Sequence, residues 1–222
     1  MTRAIADVQD LPLIADIDTG FGNAVNGAYG VTRYEAAGAA AVVVEDKTFP
    51  KDSILRAGGR EVLVPIPKSQ GKIAVPKAAS SILVIARTEA LIAGLREGEA
   101  LRCGIAYAEA GADAVLIHSK EKTPDKILPF CREWRAPVPL VLVPTSYPEV
   151  SFAEITALDK VGLIICSNHA IRAAGASMRS VFNRMLKDGG ISSIKKDMAL
   201  VSSIFALQGD EPMRDLERAF LR

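Results

Sequence analysis

Little in this chain favours a polyanion. Its 27 lysines and arginines are nearly balanced by 26 aspartates and glutamates, and no basic cluster stands out. That leaves no electrostatic case for nucleic acid or an anionic membrane surface. Long hydrophobic runs are missing too: no apolar stretch approaches the ~18 residues that mark a membrane span. The first ten residues carry Arg3, Asp7 and Asp10 where a signal peptide would carry its apolar core, so neither a span nor a signal peptide is expected. Cysteine is scarce. Cys103, Cys131 and Cys166 are odd in number, lack zinc spacing and sit in apolar contexts, so they read as reduced packing residues of a cytoplasmic protein. Aromatic residues are few, at 5%, and the apolar half of the chain is mostly small and aliphatic.

What is present is an α/β pattern. Six apolar runs have strand length: Leu11–Asp18, Ala39–Asp46, Ile82–Arg87, Ala112–Ser119, Val138–Thr145 and Val161–Asn168. Helical patterns follow most of them, at Asn26–Ala37, Glu97–Ala110, Pro124–Trp134, Phe152–Leu158 and Ala170–Leu186. Glu-Ala-Gly-Ala-Asp-Ala-Val at 109–115 and Ala-Ala-Gly-Ala-Ala-Ala-Val at 36–42 are two copies of one helix-to-strand junction, each stopped by a glycine. Such units build a parallel sheet, and 222 residues suit one large domain. Between Arg60 and Ser81 stand Pro65, Pro67 and Pro76, each costing about 3 kcal/mol inside a helix. An irregular segment is expected there, with at most a short helix around Ser69–Ala74.

Polar residues end these runs almost every time: Asp16 and Asp18, Glu45 and Asp46, Arg87 and Glu89, His118 and Ser119, Thr145, Asn168 and His169. Functional groups at the C-terminal ends of parallel strands are the rule in (β/α)₈ enzymes. Asp16-Ile-Asp18-Thr-Gly20-Phe-Gly22-Asn23 is the most informative segment. On a strand Asp16 and Asp18 share a face, and the Gly-x-Gly beyond them permits a sharp turn close to a ligand. Glu45 closes the next run. Ionised carboxylates converging on one rim are what a hard cation such as Mg²⁺ requires. Asp46 points the other way along its strand and reads as an exposed loop acid or salt-bridge partner.

Asp16-Ile-Asp-Thr-Gly-Phe-Gly-Asn, followed by Glu45-Asp-Lys-Thr-Phe-Pro-Lys51, resembles the phosphoenolpyruvate mutase/isocitrate lyase superfamily. Lys51-Asp52-Ser53, Ile85-Ala-Arg87-Thr-Glu89-Ala-Leu-Ile-Ala-Gly94 and Ile117-His118-Ser119 look most like its members that hydrolyse phosphonopyruvate. The resemblance runs from about Leu11 to the C-terminus. It implies a (β/α)₈ TIM barrel over residues 1–222, here lacking about its first two strands, with extra helices over 196–222 exchanged between subunits. Those two strands would fill roughly 60–70 residues ahead of Leu11 that this sequence does not contain. A six-strand sheet with open edges would then depend on oligomerisation.

The resemblance also assigns roles. Asp16 is the direct Mg²⁺ ligand, while Asp18 and Glu45 hold its waters; Mn²⁺ or Co²⁺ are alternatives. Arg87 and His118 bind the phosphonyl group, Lys51 closes over it, and Asp52 with Ser53 positions the attacking water. For Arg87 the plainer reading is an ion pair with Glu89, for His118 a packed core histidine, and for His169 a helix cap. Superfamily lyases carry cysteine where Ser53 stands, which argues against C–C cleavage; the mutase would have asparagine and the hydrolase threonine. The implied activity is Mg²⁺-dependent hydrolysis of the P–C bond of phosphonopyruvate to pyruvate and phosphate through a metal-stabilised enolate. The alternatives are a mutase or C–C lyase of the same superfamily, or a truncated copy without turnover. The implied partners are a small phosphonate or α-ketoacid and further copies of the chain, as a homodimer or homotetramer. The tail shows two helical patterns, Met198–Gln208 and Glu211–Leu221, whose apolar stripes need covering.

Overall fold

All six apolar runs contain a strand in the computed structural model, which describes residues 1–51 and 62–221. They are β1 (Ile14–Asp16), β2 (Ala41–Glu45), β3 (Leu83–Thr88), β4 (Ala114–Ile117), β5 (Leu140–Leu142) and β6 (Val161–Ile164). Each pairs in parallel with the next in chain order. Parallel neighbours need crossovers, and helices supply them. After α1 (Thr2–Ala6) come α2 (Ala24–Ala36), α3 (Ile66–Ala79), α4 (Glu97–Glu109), α5 (Ile127–Glu133) and α6 (Phe152–Thr156). The result is an α/β half-barrel of six parallel strands.

Alternation along the strands sorts the core into two faces. Val42, Val44, Val84, Ala86, Val115, Ile117, Leu140 and Leu142 point to the helix layer, where Ile73, Tyr107, Phe130 and Trp134 meet them. Ala41, Val43, Ile85, Ala114, Leu116 and Val141 form a second apolar cluster on the opposite face. Glu45 follows Val43 on that second face by strand parity, and Asp46 follows Val44 toward the helices.

The segment expected to be irregular is instead the helix α3. Pro65 caps it and Pro67 lies in its first turn, where the backbone N–H has no intrahelical partner to lose. Pro76 lies inside but is buried against Gly27 of α2, where a Cβ would stand in van der Waals contact at 3.5 Å from the Pro76 ring. Helix packing therefore outweighs the local cost of that proline. The first strand is also shorter than expected, covering only Ile14–Asp16, and Asp18 lies beyond it with φ 51°.

The cysteines divide. Cys103 on α4 and Cys131 on α5 are buried, whereas Cys166, just past β6, is exposed and is not a packing residue. Burial raises the Cys103 thiol and pushes that of Cys131 up to about 12, keeping both in the unreactive protonated form. A thiol reagent at neutral pH is accordingly expected to label Cys166 alone in the folded protein and all three after denaturation. Fast labelling of Cys131 in the native state would contradict this packing.

Residues 168–222 form a second unit. It comprises α7 (His169–Asp188), ended by the left-handed Gly189, then α8 (Val201–Leu207) and α9 (Asp210–Phe220). The two tail helices agree with the sequence pattern. Ile204, Leu207, Met213, Leu216 and Phe220 are all exposed. Among the described residues no helix is long and apolar enough to cross a membrane.

Candidate active site

The turn after β1 is built to hold its acids in place. Asp18 N–H donates to Asp16 Oδ1 at 2.9 Å, which folds the chain back on itself immediately past the strand. Gly22 sits at φ 137°, where a Cβ would lie 2.9 Å from Asn26 Oδ1, so only glycine fits. Asn23 then caps α2 by accepting from the N–H groups of Val25 and Asn26. Asp16 and Asp18 therefore come together through a turn, not through alternation on one strand.

Register brings the next acid alongside. Asp16 pairs with Val43 and Glu45 pairs with Arg87, so the ends of β1, β2 and β3 lie side by side. Lys51 reaches into this cluster: its Nζ is 2.5 Å from Asp18 Oδ1 and 3.3 Å from Glu45 Oε2. Burial works against the Lys51 charge, but the hydrogen bond to Asp18 and the charges of Glu45, Asp18 and Asp16 exceed it and hold its pKa above the ordinary lysine value. Glu45 is 3% exposed. Burial and the neighbouring charge of Glu89 raise its pKa, against the opposing pull of Lys51 and Arg87.

Arg87 and His118 occupy the ends of β3 and β4. Arg87 Nε donates to Glu89 Oε1 and lies 3.8 Å from Glu45 Oε2. The ion pair with Glu89 noted as the plainer reading is thus present, and it shares Arg87 with the rim. His118 is partly buried; burial, reinforced by the positive charge of Arg87, lowers its pKa and favours the neutral ring. Its Nδ1 is buried without a hydrogen-bond partner among the described residues. Asp52 and Ser53 lie outside the described residues.

The sequence misjudged Asp46. It does point away from the rim, but it is 2% exposed and no loop acid. Its carboxylate accepts from Glu89 N–H at 2.9 Å and from the Tyr107 hydroxyl at 2.8 Å. Beneath Glu45, a cavity of about 10 Å³ is lined by Glu45, Asp46, Ser69, Lys72 and Tyr107. That is room for about one water molecule. Lys47, given no role from sequence, and Glu89, read there only as a partner of Arg87, are fully buried, with Lys47 Nζ 3.5 Å from Glu89 Oε2.

The donor set suits a hard divalent cation. Three carboxylates from two adjacent strand ends offer oxygen only, and Glu45 Oε1 is buried with no hydrogen-bond partner among the described residues. The Lys51 ammonium between Asp18 and Glu45 shows that this space takes positive charge. Among the described residues no three His, Cys, Asp or Glu side chains are placed to hold a metal ion by themselves. Mg²⁺, which keeps several of its waters and uses one or two carboxylates, does not need three.

A parallel α/β sheet with carboxylates, a guanidinium and an ammonium gathered at its strand ends has the character of an enzyme site, with charges that suit a cation and a small anion. Comparison makes the class specific. The family model described as phosphoenolpyruvate phosphomutase matches residues 1–186. Phosphonopyruvate hydrolase of Variovorax sp. (strain Pal2) is 58% identical over 225 residues, spanning 100% of this chain and 78% of that protein. Phosphoenolpyruvate phosphomutase of Streptomyces hygroscopicus is 40% identical over 223 residues, spanning 99% and 70%. Among solved structures, a phosphonopyruvate hydrolase in complex with oxalate and Mg²⁺ superposes with a TM-score of 0.92 at 56% identity, covering all of this chain and 77% of that one. The phosphoenolpyruvate phosphomutase from Streptomyces platensis subsp. rosaceus gives 0.94 at 43% identity, with 100% and 77% covered. The chain belongs to the phosphoenolpyruvate phosphomutase family, within the phosphoenolpyruvate mutase/isocitrate lyase superfamily.

Proposed function

We propose that this chain hydrolyses the P–C bond of phosphonopyruvate in a Mg²⁺-dependent reaction. The observation that carries the reading is 58% identity, along the whole chain, to a phosphonopyruvate hydrolase, against 40% to the mutase. Water attacks phosphorus, the P–C bond breaks, and its electron pair passes to carbon, which takes a proton to give pyruvate beside phosphate. In this reading Asp16 is the direct metal ligand, and Asp18 and Glu45 hold the metal's waters. When bound, Mg²⁺ supplies positive charge to the α-ketocarboxylate oxygens as carbon takes up the electron pair.

The chain's own residues do the rest. The Arg87 guanidinium suits a phosphonyl oxyanion, which its fork meets with paired N–H groups. His118, neutral by burial, can donate one further N–H to the same group. Lys51 adds charge at the mouth of the site, and Asp52 with Ser53 orients the water. Such phosphoryl transfer asks for positioning and charge stabilisation more than for covalent chemistry, which this rim supplies.

We also read the six strands as part of a (β/α)₈ barrel. A homo-oligomer, dimer or tetramer, would cover the apolar faces of α8 and α9, and a cytoplasmic setting fits three unpaired thiols. The test is pyruvate formation from phosphonopyruvate. Activity is expected with Mg²⁺, to be lost on chelation and to return when Mg²⁺ is added back. Equal rates with and without the metal, or no pyruvate at all, would overturn the reading.

A further inference from the structure

Buried charges run in a line across the ends of β2 and β3, and the proposed reaction uses only part of them. At its centre Arg87 stands between two carboxylates. Glu89 Oε1 accepts from its Nε, and Glu45 Oε2 lies 3.8 Å away on the rim side. Glu89 is wholly buried, and Lys47 Nζ faces its second oxygen at 3.5 Å. Its backbone is fixed as well. Glu89 N–H donates to Asp46 Oδ1 at 2.9 Å, Asp46 N–H donates to the Arg87 carbonyl at 3.2 Å, and Tyr107 of α4 donates to Asp46 Oδ2 at 2.8 Å.

A guanidinium beside two acids goes to the better-placed one. Were Glu45 to win, Arg87 would lie over the metal carboxylates and its charge would be spent on them. Glu89 takes Nε at the base of the planar fork, and the geometry of that fork then directs the terminal nitrogens elsewhere. Lys47 offsets the second oxygen of Glu89, so burying this carboxylate leaves no uncompensated charge. We propose that Glu89 is a positioning residue: anchored by Lys47 and by the Asp46–Tyr107 contact, its carboxylate holds the Arg87 guanidinium off Glu45 and aims it at the phosphonyl group. This rests on the reading of the site given above.

Glu89→Gln keeps the side-chain length and removes the charge. It is expected to lower kcat/KM for phosphonopyruvate by about ten- to a hundredfold, the range typical of groups that orient a ligand-binding side chain, with an unchanged circular dichroism spectrum. In an Arg87→Lys background the same change should add less than about twofold, because a residue acting through Arg87 has nothing left to orient. A crystal structure of E89Q should show the guanidinium turned toward Glu45. If E89Q fails to fold, Glu89→Asp, which keeps the charge but draws it back by one methylene, is expected to show the same loss and the same displacement. Unchanged kcat/KM, full multiplicative losses in the double variant, or an unmoved guanidinium would each overturn the proposal. If the unaltered chain makes no pyruvate, the functional reading fails, and the crystal structure still decides whether Glu89 positions Arg87.

Discussion

Asp16→Ala is expected to abolish measurable Mg²⁺ binding by calorimetry and to reduce turnover of phosphonopyruvate to background. Asp16 ends β1 opposite Val43, two residues before Glu45, and its Oδ1 also accepts the Asp18 N–H that folds the turn. Its removal therefore takes away the proposed direct ligand and loosens a second acid. Losing a group that merely orients a ligand costs about ten- to a hundredfold in metal affinity, so losing the direct ligand should cost more. Glu99→Ala, on the exposed face of α4 and paired with Arg102, should leave affinity unaltered. Comparable Mg²⁺ affinity in Asp16→Ala and the unaltered chain would show that the metal lies elsewhere.

The largest stability effect is expected at Trp134. The side chain is 1% exposed, stacks on Phe130 with ring centroids 5.7 Å apart, and donates from Nε1 to the Val138 carbonyl at 2.8 Å. It fits over Gly104 so closely that a Cβ there would stand 2.8 Å from its ring. Trp134→Ala should cost about 3–5 kcal/mol, through lost burial and the cavity left behind. At the slope usual for a chain of this size that lowers Tm by roughly 6–20 °C. Because Trp134 is the chain's one tryptophan, the melt is best followed by circular dichroism. A loss below about 1 kcal/mol would mean that α4 and α5 are packed otherwise.

The sequence made the strands legible because each is a short apolar run ended by a polar residue, a signal carried by neighbouring residues alone. Asp16, Asp18, Glu45, Arg87 and His118 stood out as candidates for the same reason, each at or just past a strand end, whereas Lys51 stood out only through the family resemblance. What local pattern hides is whatever depends on distant packing. Pro76 reads as a helix breaker until Gly27 of another helix is found against it. Asp46 looks exposed until Tyr107, on a helix beginning some fifty residues later, is seen to donate to it. That Lys47 pairs with Glu89 is hidden because nothing nearby in sequence says they bury one another. Asp18 kept its place at the site by a different route, through a left-handed residue in a turn instead of strand alternation.

Phosphorus NMR of the chain with phosphonopyruvate and Mg²⁺ bears most directly on the central claim, because it follows every phosphorus species at once. The account predicts that the phosphonate signal decays into inorganic phosphate with no lasting phosphoenolpyruvate, and that chelating the metal stops the decay. Accumulation of phosphoenolpyruvate as the main product, or a phosphonate signal that never changes, would contradict it.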